Sequence, residues 1–226
     1  MVVAVLGDEA GLFGRGTSGE GCDVADLRLP GVQEDLLRVL VAAGKPVVLV
    51  LVTGRPYSIG PAVDQLAAAV QAFFPGEEGG RAIAGVLSGR VVPSGRLPVE
   101  MPGSAGAQPS SYLRPRLAGR HPVSSVDPTP LFAFGHGLSY TSFAYSDLRL
   151  LGWGPRWHGG SVQVAARVTN TGTVAGSDVA QLYLGDPPAA GEPPRWHVSG
   201  NPGGARISPV NSAGLRTSTI WCDRPS

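Results

Sequence analysis

The sequence predicts an α/β fold, a parallel-sheet αβα sandwich, followed by a partial all-β sandwich. Two continuous apolar runs at residues 2–6 and 47–52 have the length and composition of strands buried in a parallel sheet. A segment with apolar residues at helical spacing lies between them, which completes a βαβ unit. After about residue 140 the pattern changes to strict alternation, which is typical of antiparallel strands.

The remaining elements follow from local signals along the chain. Pro30 suits the first turn of a helix that stops at Gly44. A short helical segment at 61–66, an apolar strand within 67–74, a helix that ends before Gly89 and a short strand at 97–101 come next. A loop rich in Ser, Pro and Arg occupies 102–130. Strands of period 2 are expected at 143–151, 161–169 and 179–184, and no periodicity continues beyond about residue 189.

Composition excludes several classes of partner. The 18 basic and 17 acidic residues leave a net charge of +1, so neither nucleic acid nor an anionic membrane surface is an expected partner. The longest apolar run is too short to cross a bilayer, and residues 1–6 lack the features of a signal peptide, which favours a cytoplasmic location. Cys22, Cys222 and four scattered His residues form no metal-ligand spacing, so no metal and no cofactor are expected.

The most informative stretch is a glycine-rich loop that places Glu20 between Gly19 and Gly21. The loop follows the first strand, at the end of a parallel sheet where ligands usually bind. Flanking glycines can present a carboxylate outward, although the same pattern also fits a tight turn that carries a solvated acid. Residues 14–19 match G-x-G-x-x-G, but a dinucleotide-binding loop follows its strand at once and opens a helix, whereas here the helix waits until after Pro30.

Six short motifs in a fixed order carry a family resemblance. Taken together, they resemble the C-terminal half of glycoside hydrolase family 3, especially its bacterial β-glucosidases and β-xylosidases. They are TSGEGCD at 17–23, LPGVQ at 29–33, GRP at 54–56, FPGEEGG at 74–80, PSGRLP at 93–98 and FGHGLSYT at 134–141. The resemblance implies an α/β sandwich domain at 1–135, a partial fibronectin type III-like domain at 136–188 and a disordered tail outside the family at 189–226.

The same resemblance implies a function and its residues. The family hydrolyses β-linked glucosides or xylosides by a retaining reaction, with an Asp nucleophile on an N-terminal (β/α)8 barrel and, in many members, an acid/base Glu that Glu20 matches. Glu9 is the alternative acid/base if the loop alignment shifts. Arg15, Asp23 and Arg55 are candidate substrate-binding residues. When barrel and substrate cover Glu20, loss of water and a second nearby carboxylate would favour its protonated form.

The sequence also departs from the family, because it offers no residue for the nucleophile and loses its resemblance after Pro187. We therefore expect an internal start at Met1, a frameshift or misassigned end after Pro188, and no turnover by this chain alone. The alternative is a non-catalytic carbohydrate-binding or accessory module, since this domain forms one wall of the family's sugar site.

Overall fold

The computed structural model describes residues 1–107, 119–150, 162–185, 195–199 and 216–222. They divide into two compact units, one of Met1–Gly85 with Leu97–Phe134 and the other of Val86–Arg96 with Gly135–Ser226. Among the described helices, none is both long and apolar enough to cross a membrane. Each unit has its own hydrophobic core and is described separately.

The first unit is built on a three-stranded parallel sheet. Its strands are β1 (Val2–Gly7), β2 (Val47–Val52) and β3 (Ala68–Gln71), in the order β1-β2-β3. Helix α1 (Gln33–Ala42) connects β1 to β2, and a 3₁₀ turn at Val63–Gln65 precedes β3. Helix α2 (Gly79–Leu87) follows β3. The parallel pairing of β1 with β2 and of β2 with β3 confirms the predicted βαβ arrangement.

The core of this unit lies on the face of the sheet that α1 covers. Leu37 of α1 packs against apolar side chains that alternate along β1 and β2. The buried members of the cluster are Ala4, Leu6, Leu29, Leu37, Val47, Leu49, Leu51, Tyr57, Ile59 and Met101. Strand β2 is the central strand, and it is buried on both faces, since every one of its first five residues is covered. The loops at the carboxyl ends of β1 and β2 therefore project from a fixed sheet.

Two predictions about strands in this unit are wrong. Strand β1 was expected to be buried on both faces, yet Val3 and Val5, which share one face of the strand, are 44% and 61% exposed, so that face is left uncovered. Residues 97–101 were expected to form a strand, but only Met101 pairs, through an isolated bridge to Phe132. Pro98 and Pro102 explain this difference, because neither has an N–H to donate to a ladder.

The second unit contains antiparallel strands in two sheets. Strands β4 (Phe143–Leu150), β5 (Val162–Asn170) and β8 (Arg216–Cys222) form one sheet in the order β4-β5-β8. Strands β6 (Gln181–Gly185) and β7 (Arg195–Ser199) form the other. The period-2 pattern thus predicts β4, β5 and β6 correctly.

The structure differs from the sequence prediction at β7 and β8. Both lie within 189–226, where no regular structure was expected, and their backbones are extended and paired. Strand β7 pairs with the preceding strand β6, whereas β8 pairs with β5, which lies much earlier in the chain, and a local pattern does not report such a partner. The rest of the predicted tail lies outside the described residues.

A buried ion pair stabilises the second unit. Arg96 and Asp178 have side chains that are only 11% and 8% exposed, and the guanidinium donates a hydrogen bond to the Asp178 carboxylate. The Tyr145 hydroxyl donates to the other oxygen of the same carboxylate. Nearby, Val164 and Ala166 of β5 form a small core against which Tyr145 packs. Asp178 therefore connects the segment before residue 97 to the β4-β5 sheet.

Candidate active site

The glycine-rich loop is closed on itself by backbone hydrogen bonds. The carbonyl of Glu9 accepts from the N–H groups of Thr17 and Ser18, at 2.9 and 3.2 Å. Gly11 N–H donates to the Ser18 carbonyl at 2.9 Å, and Phe13 N–H donates to the Glu20 carbonyl at 2.8 Å. The two halves of the loop therefore support each other, and the segment around Glu20 has a defined backbone.

Glu20 lies on the outside of this closed loop. Its backbone carbonyl is bonded to Phe13, whereas its side chain is exposed and has no hydrogen-bond partner in the part of the chain that the structure describes. Its neighbour Gly19 has φ +133, and a Cβ there would lie 1.8 Å from the Gly11 carbonyl oxygen. Glycine is thus required next to Glu20 by a close backbone contact. The arrangement leaves a carboxylate free to exchange a proton with a ligand.

Strain and apolar exposure accompany the carboxylate. Phe13 has φ 55, a left-handed conformation that is unusual for an aromatic residue, and its side chain is 77% exposed. Leu12 is exposed beside it. Strained backbone is retained where the surrounding structure imposes it, and such positions cluster at binding and catalytic sites. The loop therefore presents an acid and an apolar surface together.

Asp8 organises the base of the loop. This half-buried residue directly follows β1. Its carboxylate accepts hydrogen bonds from the hydroxyls of Tyr57 and Thr17, at 2.6 and 2.7 Å, and from Gly54 N–H at 2.9 Å. The sequence prediction did not include Asp8, Thr17 or Tyr57. Their signal was the position of Asp8 at the carboxyl end of the first strand, where polar groups of successive loops meet.

Arg55 fixes the far end of the loop. One guanidinium nitrogen, Nη2, donates to the Cys22 carbonyl at 2.7 Å, and the guanidinium carbon lies 6.0 Å from the centre of the Tyr57 ring. The other terminal nitrogen, Nη1, is buried and has no hydrogen-bond partner among the described residues. Arg55 therefore contacts the Glu20 loop from the loop that follows β2.

The remaining predicted residues lie on the loop surface. Glu9, Arg15 and Asp23 are all exposed. Glu9 closes the loop through its backbone, because its carbonyl accepts from the N–H groups of Thr17 and Ser18 and its own N–H donates to the Thr17 hydroxyl at 2.9 Å. The structure thus places Glu9, Arg15, Glu20 and Asp23 on one loop and brings Arg55 to it. Their roles toward substrate stay predictions.

Other features of the described residues offer no competing centre. No cluster of three or more His, Cys, Asp or Glu side chains capable of holding a metal occurs within the described ranges. A pocket of about 180 Å³ lies beside α1, lined by Leu37 and Arg38 of the helix and by residues such as Ile59 and Gln65. None of the predicted site residues lines it. The glycine-rich loop is therefore the strongest candidate site.

Comparison with known proteins shows which family the chain resembles. Residues 1–140 match the glycosyl hydrolase family 3 C-terminal domain. The chain is 40% identical over 173 residues to a beta-xylosidase from Formosa agariphila, covering 75% of this chain and 24% of that protein. It is 37% identical over 210 residues to the periplasmic beta-glucosidase of Salmonella typhimurium, covering 88% of this chain and 27% of that protein.

The chain is also similar in structure to a solved beta-glucosidase. The chain resembles the beta-glucosidase of Listeria innocua in complex with glucose, with a TM-score of 0.74 and 28% identity. The match covers 98% of this chain and 31% of that one. The chain thus spans about a quarter to a third of the length of these relatives.

Proposed function

The chain belongs to glycosyl hydrolase family 3, and we propose that it supplies Glu20 as the general acid/base of a retaining β-glycosidase. The observation that supports this role is the exposed Glu20 carboxylate on an ordered loop at the carboxyl end of β1. Ligands of open parallel sheets bind at that end. The two named relatives are a beta-xylosidase and a beta-glucosidase, so the proposed substrate is a β-linked xyloside or glucoside.

The proposed reaction needs two carboxyl groups. In a retaining glycosidase they lie about 5 to 5.5 Å apart, one attacking the sugar and the other donating a proton to the leaving oxygen. Glu20 would donate that proton, and as a carboxylate it would then remove a proton from the water that hydrolyses the glycosyl-enzyme. Its exposed position leaves room for substrate and for a second carboxylate supplied by another domain.

We propose that the second carboxylate is an Asp on an N-terminal (β/α)8 barrel and that this chain alone has no activity. The chain covers only 24% and 27% of the two enzymes it resembles in sequence, which is consistent with a reaction shared between domains. Arg15, Asp23 and Arg55 are proposed to contact the sugar or to hold the loop against it. Covering the loop with a barrel would exclude water from Glu20.

The test compares two glutamates of the same loop. Glu20→Gln and Glu9→Gln are each assayed with aryl β-glucosides and β-xylosides, alone and after mixing with a separately produced barrel domain from a family member. We expect no turnover by the isolated chain. In the mixture, Glu20→Gln should lower kcat/KM by about 100- to 10,000-fold for a poorly leaving phenol. The loss should be smaller for dinitrophenolate, which leaves without a proton.

The matched variant decides between the two acids. Glu9→Gln should retain activity in the mixture, because the backbone of Glu9 and not its side chain closes the loop. A loss of activity confined to Glu9→Gln would assign the acid/base role to Glu9. Turnover by the isolated chain would refute the proposal that the nucleophile lies on another domain. Binding of glucose or xylose with no turnover in any mixture would instead favour a carbohydrate-binding module.

We also propose that the second unit is a fibronectin type III-like domain. The antiparallel strands β4, β5 and β6 lie within 136–188, which is compatible with part of a β-sandwich, and β7 and β8 of the segment 189–226 pair with β6 and β5. The limits 1–135, 136–188 and 189–226 remain our proposed domain boundaries.

A further inference from the structure

The carboxylate of Asp8 accepts hydrogen bonds from three groups on two loops of the first unit. Oδ1 accepts from the Thr17 hydroxyl at 2.7 Å and from the Tyr57 hydroxyl at 2.6 Å, and Oδ2 accepts from Gly54 N–H at 2.9 Å. Thr17 belongs to the Glu20 loop, whereas Gly54 and Tyr57 follow β2. Hydrogen bonds to an ionised carboxylate are shorter and stronger than those between neutral groups. A single side chain therefore holds two loops together.

We propose that Asp8 is a positioning residue that fixes the Glu20 loop to the loop after β2. This inference rests on the proposed acid/base role of Glu20. Asp8 itself sits at the base of the loop and acts through Thr17, whose side chain is the first group of the loop that it contacts.

The connection from Asp8 to Glu20 is short and continuous. The Thr17 hydroxyl donates to Asp8 and also accepts from Glu9 N–H at 2.9 Å, so it acts as both a hydrogen-bond donor and an acceptor. Thr17 N–H donates to the Glu9 carbonyl at 2.9 Å. Three residues later, the Glu20 carbonyl accepts from Phe13 N–H at 2.8 Å. Release of Thr17 would therefore loosen the hydrogen bonds that determine where Glu20 lies.

Tyr57 provides the rigid side of this connection. Its side chain is among the core residues of the unit and the residue is only 1% exposed. Burial, followed by the hydrogen bond to Asp8 and its negative charge, raises the pKa of the Tyr57 phenol. The phenol therefore stays protonated and continues to donate to Asp8. Since the core fixes Tyr57, Asp8 transmits a fixed position to the loop.

The test removes each side of the Asp8–Thr17 bond in the full 226-residue chain. The variants are Asp8→Asn, which loses the charge, and Thr17→Val, which loses the hydroxyl at similar volume, with Thr17→Ser as the matched control that keeps the hydroxyl. Amide hydrogen exchange is followed at the loop amides and at those of β2. We expect about tenfold or greater acceleration at Gly11, Phe13 and Ser18 in both deletion variants, beyond any change at β2, and wild-type rates in Thr17→Ser.

A spectroscopic measurement separates positioning from general destabilisation. With ¹³Cζ-labelled tyrosine, and Tyr57 assigned by its loss in Tyr57→Phe, the phenol should ionise at lower pH in Asp8→Asn than in the wild type. Equal acceleration at the loop and at β2, or an unchanged Tyr57 titration in Asp8→Asn, would overturn the proposal. If Asp8→Asn does not fold, Thr17→Val against Thr17→Ser gives the same decision from exchange alone.

The two proposals fail in different ways. Exchange and phenol titration need no turnover, so they report on Asp8 even in an inactive chain. Full activity of Glu20→Gln in the barrel mixture would refute the acid/base role alone. Unchanged loop exchange in Thr17→Val, together with an inactive Glu20→Gln, would refute the positioning role alone.

Discussion

Replacing Gly19 by alanine should disturb the Glu20 loop. The effect should be larger than that of replacing a glycine of the first unit whose added Cβ would meet no neighbouring atom. A Cβ at Gly19 would lie 1.8 Å from the Gly11 carbonyl oxygen, and the φ of +133 is one that L side chains rarely adopt. Ordinary C···O contacts begin at about 3.3 Å, so the loop segment around Gly19 or the one around Gly11 must move by about 1.5 Å. Glu20 is the next residue in the chain and must move with it.

The magnitude follows from comparison with Gly76. Gly76 also has positive φ, at +74, but a Cβ there would meet nothing within 4 Å. Gly76→Ala should therefore cost only conformational strain, about 1 to 2 kcal/mol of unfolding free energy. Gly19→Ala adds the loss of two backbone hydrogen bonds, from Gly11 to Ser18 and from Phe13 to Glu20, at about 1 kcal/mol each. Its total cost should be about 3 to 4 kcal/mol.

Two assays measure the effect. Urea unfolding of both variants gives the difference in stability, and loop hydrogen exchange shows where it arises. In the barrel mixture, a displacement of about 1 Å in a catalytic group can lower the rate about 100-fold, so Gly19→Ala should lose turnover that Gly76→Ala keeps. Equal stability losses in the two variants, with unchanged loop exchange, would refute the close-contact reasoning.

Two further predictions concern stability. Asp178→Ala should lower the unfolding free energy of the second unit by about 3 to 5 kcal/mol, because it leaves the Arg96 charge buried and unpaired. Tyr145→Phe removes one hydrogen bond to the same carboxylate and should cost about half as much. Equal losses of unfolding free energy in urea would contradict this order. The pKa of the Tyr57 phenol is raised in the folded chain. Just above a pH of about 10, the ordinary pKa of tyrosine, this phenol therefore ionises in the unfolded chain but stays protonated in the folded one. Stability should therefore fall as pH rises above that value, by up to about 1.4 kcal/mol per pH unit, and a Tyr57→Phe chain with the same pH dependence would contradict the assignment.

Local sequence patterns predict those parts of the fold in which each element carries its own apolar pattern. The runs at β1 and β2 and the helical spacing of α1 correctly give a parallel βαβ unit. The predicted strand at 97–101 fails because Pro98 and Pro102 remove backbone donors that an apolar count ignores. Strand β8 pairs with β5, which precedes it by many residues, and a window of a few residues holds no record of such pairing.

The site is predicted in part for the same reason. Glu20 is visible because its glycine neighbours are adjacent in sequence. Asp8 and Tyr57 are 49 residues apart, and their hydrogen bond exists only because two parallel strands bring the following loops together. Arg55 was predicted as a sugar ligand from its position after β2, and the structure shows a bond to the Cys22 carbonyl. Its buried second nitrogen leaves one donor for a further partner.

Strand β1 shows how a wrong prediction can still carry information. Its continuous apolar run is the composition of a strand covered on both faces, yet Val3 and Val5 are exposed on one of them. Exposed apolar groups on the face of a sheet are unfavourable in water, and large apolar patches mark interaction surfaces. The Glu20 loop emerges from this same strand, and its own apolar residues Leu12 and Phe13 are exposed as well. This apolar exposure on both the strand and its loop would suit the proposed active site shared with a barrel domain, because that domain would then exclude water from it.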